Sequence, residues 1–194
     1  MLYRMNTQHI ELIHRLFAAA ETIDLPIWLQ GGWAIDGRLH RVTREHQDID
    51  VAFPSERRAE LILLLQSLLQ GRGYANGGSA IEETDYGFLI TLDGVLVDCE
   101  PCVRIGEAYE LEGLPPGTCP WEKQGNIAGE SLRCISWEAI LWDYFYYLEE
   151  VPQSSWRAQD FESYALVRAA FGDAALERLH EQFKEQLTRR ETFS

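Results

Sequence analysis

The N-terminal part of the chain carries two stretches in which apolar side chains recur at helical spacing. Intervals of three and four run over 7–23 and over 56–70, which predicts two helices that each bury one face. Asn6 or Thr7 can cap the first helix and Ser55 the second, because short polar side chains bind the free amides of a first turn.

Short apolar runs around these helices predict strands. Two cover 26–29 and 48–53, and alternating apolar and polar residues mark two more over 86–92 and 95–99. Asp93-Gly94 joins the last two, and this dipeptide is a strong signal for a two-residue hairpin. We expect the hairpin to pair with the strand over 48–53.

From about residue 136 the pattern becomes helical. The predicted helices are 137–150, 155–171 and 174–190, each bounded by cap or break residues, which are Ser136, Pro152, Ser155 and Gly172. Residues 106–135 look irregular or β, with Gly129-Glu130 as a turn. The sequence therefore predicts an α+β fold, with a mixed sheet flanked by helices over 1–105 and a mainly helical part over 106–194.

Composition favours a folded protein that does not enter a membrane. The chain has 194 residues, 46% of them hydrophobic and 11% aromatic, which is enough for one large domain or two small ones. No apolar run approaches the ~20 residues of a membrane helix, and no signal-peptide segment follows the N-terminus. We expect a cytoplasmic protein with no membrane association.

The cysteine spacing is weak evidence for a metal site. Cys99 and Cys102 form one CxxC, but no second CxxC and no paired histidines follow, whereas structural zinc sites need a fuller ligand set. Reduced thiols, as in most cytoplasmic proteins, are the preferred interpretation.

The chain is strongly acidic, with a net charge of −14. This charge argues against a nucleic-acid partner, whose phosphates would be repelled. The excess is concentrated in 98–150, where 11 acidic residues stand against 3 basic ones, a net charge of −8. Such a surface attracts polycations, although ordinary solubility also explains an acidic chain.

Two aspartates separated by one residue follow a double glycine. In a strand the side-chain period of two places Asp48 and Asp50 on one face. Their like charges favour a cation between them, and Mg²⁺ is held by few carboxylates together with waters and substrate phosphates. The amides of a Gly31-Gly32 turn can approach an anion closely. The combination indicates metal-dependent nucleotidyl transfer, although singly each motif is more often a solvated strand end or a turn.

Asp98 is a third candidate carboxylate. It shares a strand face with Glu100, while Val97 and Cys99 point to the other face. If this strand lies beside the strand of Asp48, the three aspartates converge and can hold one or two Mg²⁺ ions. Asp98 can also accept the proton of an attacking hydroxyl.

The neutralisation of a triphosphate has to come from metal and arginines. The chain has only two lysines and no P-loop motif. Arg41 and Arg44 lie between the glycines and the aspartates, and guanidinium groups bind phosphate through paired hydrogen bonds. His46 is a further candidate phosphate donor. An exposed loop explains the two arginines equally well.

The helix predicted over 137–150 is apolar nearly all round, so most of it belongs to the core. Asp143, Tyr146 and Tyr147 are spaced three and four apart and lie on one face. An acid beside tyrosines can bind the ammonium and hydroxyl groups of a cationic sugar. A core helix whose aspartate is satisfied locally fits this stretch at least as well.

Six blocks in one order resemble the aminoglycoside 2″-O-nucleotidyltransferases, which are antibiotic-resistance enzymes of the polymerase-β-like nucleotidyltransferase superfamily. The blocks are GGWAID (31–36), RVTR (41–44), DID (48–50), DYGFL (85–89), DCEP (98–101) and SWEAI with WDYFYY (136–147). The superfamily often has serine after the first motif glycine, where this chain has Gly32. The glycine-rich loop over 71–80 looks longer than that of the family.

The resemblance implies transfer of AMP from MgATP to the 2″-hydroxyl of 4,6-disubstituted aminoglycosides such as gentamicin, tobramycin and kanamycin. By motif position, Asp48 and Asp50 would bind Mg²⁺, and Asp98 would be the catalytic base and a further metal ligand. The candidate nucleotide-binding residues are Gly31, Gly32, Arg41, Arg44 and His46, and those implied for the aminoglycoside are Glu100, Asp143, Tyr146 and Tyr86. The acidic segment 98–150 would then match a drug with several ammonium groups.

Two alternatives keep the same fold. The acceptor can instead be a lincosamide or a protein hydroxyl, because acceptor choice depends on pocket shape. A silent homologue would bind a nucleotide without turnover, but the presence of all three aspartates counts against it. The sequence leaves open the preferred drug and whether the protein is a monomer or a dimer.

Overall fold

Within residues 3–70 and 81–193, which the computed structural model describes, a six-stranded mixed sheet is followed by three helices. The helices are α1 Tyr3–Thr22, α2 Gly31–Leu39, α3 Arg58–Gln70, α4 Trp137–Glu150, α5 Ala158–Phe171 and α6 Asp173–Phe193. The strands are β1 Trp28–Leu29, β2 Asp48–Pro54, β3 Glu82–Thr84, β4 Gly87–Leu92, β5 Val95–Ile105, β6 Ala108–Glu110, β7 Gly125–Ile127 and β8 Glu130–Leu132. The predicted α+β fold is confirmed; the loop over 71–80 lies outside the described residues.

The strand order places the two predicted acidic strands side by side. The main sheet runs β1-β2-β5-β4-β3, with β6 paired to β5, and a separate β7-β8 pair lies outside it. β2 and β5 are parallel, and Asp50 is the register partner of Asp98. The expected pairing of the hairpin with the strand of Asp48 is therefore confirmed, and β5 is the strand that makes it.

The hairpin between β4 and β5 forms at the predicted dipeptide. Asp93 has a φ of 52° and Gly94 a φ of 81°, and the favoured two-residue hairpin turn requires positive φ at both positions. The turn sets the register of β5, so that Val97 and Cys99 are fully buried while Asp98 stays partly exposed. A single turn thus decides which face of β5 carries the acids.

The N-terminal helices complete the core around the sheet. Both α1 and α3 contact β2, and their buried residues include Leu12, Ile13, Leu16, Phe17 and Ala20 of α1 and Leu61, Leu64 and Leu65 of α3. These are positions at intervals of three and four, so the predicted apolar stripes are the buried ones.

The predicted cap of the first helix is wrong. Helix α1 begins at Tyr3, so Asn6 and Thr7 lie inside it. The Asn6 amide instead donates to the Arg44 carbonyl at 2.8 Å and accepts from the His46 amide at 3.1 Å. The Asn6 side chain therefore binds a loop about forty residues away in the chain. A contact between residues so far apart leaves no signal in the local sequence.

Two further predicted caps are wrong because a 3-10 turn comes before each helix. Ser55 and Ser155 each lie in such a turn, so α3 begins at Arg58 and α5 at Ala158. At the start of α5 the Arg157 amide donates to the Asp160 carboxylate at 3.0 Å.

The predicted cap of α4 and the predicted turn near Gly129 agree better with the structure. The Ser136 hydroxyl accepts from the Ala139 amide at 3.1 Å, so Ser136 caps α4 as predicted. The turn between β7 and β8 lies at Ala128-Gly129, where φ is 50° and 97°. It is one residue earlier than predicted, because Glu130 already begins β8.

Helix α6 packs on α4 mainly through Phe183, with the His180 ring stacked on Phe145 at 4.7 Å. The Phe183 ring is fully buried and lies 5.2 Å from Trp142, 5.5 Å from Phe145 and 4.9 Å from Tyr146, measured between ring centroids. Although α4 is apolar nearly all round, no helix of the described residues is long and apolar enough to cross a membrane. The apolar surface of α4 is covered by its neighbouring helices.

We expect Phe183→Ala to lower the free energy of unfolding by about 3–5 kcal/mol, because it leaves a cavity among packed rings. Urea unfolding measures the loss. Phe161→Ala removes the same atoms from a helical phenylalanine that is 44% exposed, and it should cost about 1 kcal/mol or less. Equal losses in the two variants would contradict this account of how α6 docks.

Candidate active site

A cavity of about 350 Å³ lies between the start of α2, strand β2 and the helices α4 and α5. The residues that line it from the N-terminal part are Gly31, Gly32, Ile35, Arg44, Gln47, Asp48 and Asp50. Those from the C-terminal part are Ile135, Ile140, Asp143, Tyr144, Tyr147, Arg157, Gln159 and Asp160. Both parts of the chain therefore contribute to one site.

The double glycine forms the first turn of α2 beside the acidic strand. Gly31 has a φ of 54°, and a Cβ atom there would clash with Asp50 Oδ2 and lie 3.0 Å from Asp50 Cγ. A Cβ at Gly32 would lie 2.6 Å from Nδ1 of His46 and clash with Arg44 Nη2. The missing side chains allow this close approach, and a helix N-terminus presents free amides to an anion.

The aspartates of β2 and β5 crowd one face of the sheet. Burial, together with the carboxylates of Asp48 and Asp98, raises the pKa of Asp50 to about 7, and Arg44 opposes this shift. Burial and the Asp48 charge also raise the pKa of Asp98. A cation bound between these carboxylates would relieve their repulsion.

The donor set fits a magnesium ion that shares its ligands with a substrate. No three Asp, Glu, His or Cys side chains in the described part of the chain enclose a metal by themselves. Mg²⁺ suits such an open arrangement, because it keeps waters and takes ligands from phosphates. Asp48 and Asp50 line the cavity, whereas Asp98 lies next to Asp50 on β5 and outside that lining. The expected convergence is therefore electrostatic, without a closed ligand cage.

Glu100 on β5 and Asp143 on α4 form a second pair of acidic side chains. Desolvation, together with the Glu100 charge, raises the pKa of Asp143 to about 7, although the Asp143 side chain keeps contact with solvent. With its amide oriented to satisfy both partners, Gln30 donates to Glu100 at 3.0 Å and accepts from the Ala52 amide at 3.2 Å. Glu100 is thus held in place on the side of the site where Asp143 enters from α4.

Two arginines face the cavity from opposite parts of the chain. Arg44 follows α2 and donates to the Glu45 carbonyl at 3.0 Å. Arg157 precedes α5 and pairs with Asp160 at 2.8 Å. Arg157 belongs to no sequence motif, and its place at the cavity depends on how the helices dock, so the sequence did not predict it.

His46 and Arg41 do not line the cavity. The His46 ring is buried, with its Nε2 2.6 Å from the Asp36 carboxylate and its centroid 4.2 Å from Trp33. The His46 ring therefore packs beside Gly32 and supports the glycine turn without lining the cavity. Arg41 is exposed and stands outside the lining residues.

The tyrosines predicted for the site, Tyr86, Tyr146 and Tyr147, do not all lie at the cavity. Tyr146 packs on Phe183, while Tyr147 and Tyr144 line the cavity. Tyr86 is 79% exposed and lies just before β4. Periodicity placed Tyr146 and Tyr147 on one face, but α6 covers the side of α4 that carries Tyr146.

Known proteins share this arrangement along most of the chain. A sequence model of the aminoglycoside-2″-adenylyltransferase family matches residues 12–185. Two 2″-aminoglycoside nucleotidyltransferases, from Escherichia coli and Klebsiella pneumoniae, are each 48% identical over 180 residues, which is 93% of this chain and 97% of theirs. This chain belongs to the aminoglycoside-2″-adenylyltransferase family.

Solved structures agree with this assignment. The crystal structure of ANT(2″)-Ia in complex with adenylyl-2″-tobramycin has a TM-score of 0.85 and 46% identity, and the match covers 93% of this chain and 99% of that one. A lincosamide adenylyltransferase, LnuA, has a TM-score of 0.58 at 16% identity and covers 80% of this chain and 94% of its own, which shows a shared fold. The nucleotidyltransferase fold and the enzyme class expected from the motifs are confirmed.

We expect Gly31→Ala to lower kcat/KM by about a hundredfold or more, because the added methyl group displaces Asp50 and small misplacements at a reacting centre are costly. Steady-state transfer assays and thermal unfolding measure the two consequences.

Gly106→Ala is the matched control for this variant. Gly106 also has a positive φ, 63°, but nothing lies within 4 Å of its added Cβ. It should show the backbone strain of about 1–2 kcal/mol without the loss of turnover. If both variants lost activity equally, strain rather than contact with Asp50 would be the cause.

Proposed function

We propose that this enzyme transfers AMP from MgATP to the 2″-hydroxyl of 4,6-disubstituted aminoglycosides such as gentamicin, tobramycin and kanamycin, and releases pyrophosphate. The observation that carries the proposal is the relative solved with adenylyl-2″-tobramycin at 46% identity. The cavity supports it, because a glycine turn and arginines suited to phosphate meet carboxylates suited to amines there. Because ATP is the donor, we propose that the enzyme acts in the cytoplasm.

The nucleotide would bind at the start of α2. Free amides at Gly31 and Gly32 and the Arg44 guanidinium provide donors for phosphate oxygens. Asp48 and Asp50 would hold one or two Mg²⁺ ions, with Asp98 as a further ligand, and bound Mg²⁺ neutralises the charge of the triphosphate. Arg41 and His46 do not line the cavity, so they would contribute only by positioning the loop that carries Arg44.

Asp98 is the proposed catalytic base. It is partly exposed on β5 and adjacent to Asp50 in the register, so it can accept the proton of the 2″-hydroxyl as the oxygen bonds to the α-phosphorus. The bond from that phosphorus to the pyrophosphate oxygen breaks in the same displacement, and pyrophosphate leaves on the opposite side.

The aminoglycoside would bind on the acidic side of the site. Glu100 and Asp143 come from β5 and α4, and a carboxylate binds an ammonium group through strong, charge-assisted hydrogen bonds. The exposed ring of Tyr86 is free to contact the drug. Tyr147 lines the cavity and is a better candidate than Tyr146, which packs on Phe183.

A lincosamide is the second candidate acceptor. A lincosamide resistance protein from Staphylococcus haemolyticus is 26% identical over 133 residues, covering 62% of this chain and 74% of its own. The carboxylates of Glu100 and Asp143 favour a drug with several ammonium groups over one with fewer charges.

The first experiment is pyrophosphate release from MgATP with tobramycin, with lincomycin or with no acceptor. Asp98→Asn should lower the tobramycin-dependent rate by about 10³-fold, because a positioned base is lost. Asp24→Asn is the control: Asp24 is exposed in a turn with a φ of 52°, which asparagine tolerates. Release that needs lincomycin would replace the proposed acceptor, and full turnover in folded Asp98→Asn would remove Asp98 from the mechanism.

We expect Asp143→Asn to raise KM for tobramycin about tenfold, because a charged partner for an ammonium group is lost. The same variant should also be more stable at pH 8, because partial desolvation and the Glu100 charge both oppose ionisation of the parent carboxyl. Its pKa is raised to about 7, so this penalty builds up between about pH 4 and pH 7 and is absent below about pH 4.

Glu150→Gln removes the same charge from an exposed position of the same helix. It should change neither KM nor Tm. A stability gain in Asp143→Asn that persists at pH 4 would show that ionisation of Asp143 is not its cause.

A further inference from the structure

We infer that Arg157, which precedes α5 in the helical part, binds the β- and γ-phosphates of the nucleotide and with them the departing pyrophosphate. This inference rests on the proposed function, since it takes ATP as the donor. It deepens that function by naming a residue outside the six sequence blocks that resemble the family.

The direction of the reaction places the leaving group on the side of Arg157. Asp98 and Glu100 lie on β5, outside the lining of the cavity, while Asp48, Arg44 and Arg157 line it. In an in-line displacement the leaving group departs opposite the attacking hydroxyl. If the hydroxyl comes from the side of Asp98, pyrophosphate leaves toward the cavity that Arg44 and Arg157 line, which it shares with the aminoglycoside near Asp143 and Tyr147.

The charge of that cavity also requires a second cation. Of the two lysines, Lys123 pairs with Glu21, and neither Lys123 nor Lys184 is among the cavity residues. Among the described lining residues Arg44 and Arg157 are the cations. A hydrogen bond to Asp160 raises the pKa of Arg157, and the Asp48 carboxylate acts in the same direction, so the guanidinium is within electrostatic reach of the proposed metal ligands.

The pairing with Asp160 orients Arg157 without exhausting its donors. Arg157 Nε lies 3.0 Å from Asp160 Oδ2, and Nη2 lies 2.8 Å from Oδ1. A guanidinium has five N–H groups, so two are used here and three remain for phosphate oxygens. Asp160 is itself held by the Arg157 backbone amide at 3.0 Å, and the bond from Arg157 lowers the pKa of its carboxyl, which keeps it ionised. A pre-oriented fork loses less entropy on binding phosphate.

Calorimetric titration of the purified protein with MgATP and, separately, with AMP tests this assignment. Arg157→Gln should weaken MgATP binding about tenfold, the low end for a charge-assisted hydrogen bond at a partly exposed site. It should leave AMP binding unchanged, because AMP lacks the two terminal phosphates. Arg157→Lys keeps the charge without the fork and should fall between the parent and Arg157→Gln.

Arg168→Gln is the matched control. Arg168 lies on α5, the helix that Arg157 precedes, and pairs with Asp173 at 2.9 Å. It does not line the cavity, and its loss should leave both affinities unchanged. Unchanged MgATP binding in Arg157→Gln would overturn the inference. An equal loss for MgATP and AMP would also overturn it, because Arg157 would then support the fold or the nucleoside.

The titrations separate this inference from the proposed function. If Arg157→Gln weakens MgATP selectively while no aminoglycoside is adenylylated, Arg157 keeps its role and the proposed acceptor is wrong. If tobramycin is adenylylated and Arg157→Gln binds MgATP as the parent does, only the inference about Arg157 fails. A parent protein that binds no MgATP would overturn both.

Discussion

The parallel pairing of β2 with β5 is the constraint on which the site depends. It sets Asp50 beside Asp98, with Asp48 one pleat away, so carboxylates that repel one another are held on a single face. The opposite face of the same strands is buried in the core. Because a slip of one residue would expose that core, the register that buries the apolar side chains also forces the acids together. The hydrophobic core thus maintains the charge repulsion that a bound cation relieves.

The loop between α2 and β2 is held by polar contacts that carry no chemistry of their own. Asp36 accepts from the backbone and side chain of Thr43 and pairs with His46, both of them buried. Asn6 holds the backbone on either side of Glu45. These bonds set the loop beside the glycine turn, and so they position Arg44 over Gly32. A buried ionisable pair of this kind specifies one loop conformation more than it adds to stability.

Charges of both signs meet at one site. Arg44 and Arg157 line the cavity together with Asp48, Asp50 and Asp143, and Glu100 on β5 lies within electrostatic reach of Asp143. Such a mixture lets one site receive a polyanion and a polycation together, and it orients both by electrostatics before contact. The acidic excess of the segment 98–150 therefore has a structural counterpart in Glu100 and Asp143.

Local patterns in the sequence predicted β1, β2, β4, the first half of β5, every helix except α2 and the turn at Asp93-Gly94, because periodicity and turn chemistry act over a few neighbouring residues. They did not predict α2 or β3, and they left 106–135 as irregular or β. They also predicted Asp48, Asp50 and Asp98 as site residues, since the motif order is continuous along the chain, and the fold sets Asp50 beside Asp98. Tertiary structure alone decided the rest. Asn6 binds the loop around Glu45 and does not cap α1. Tyr146 packs on Phe183 because α6 covers that side of α4. His46 pairs with Asp36 and does not line the cavity. Arg157 reached the cavity only because α5 docks there, and contacts between residues so far apart in the chain leave no local signal.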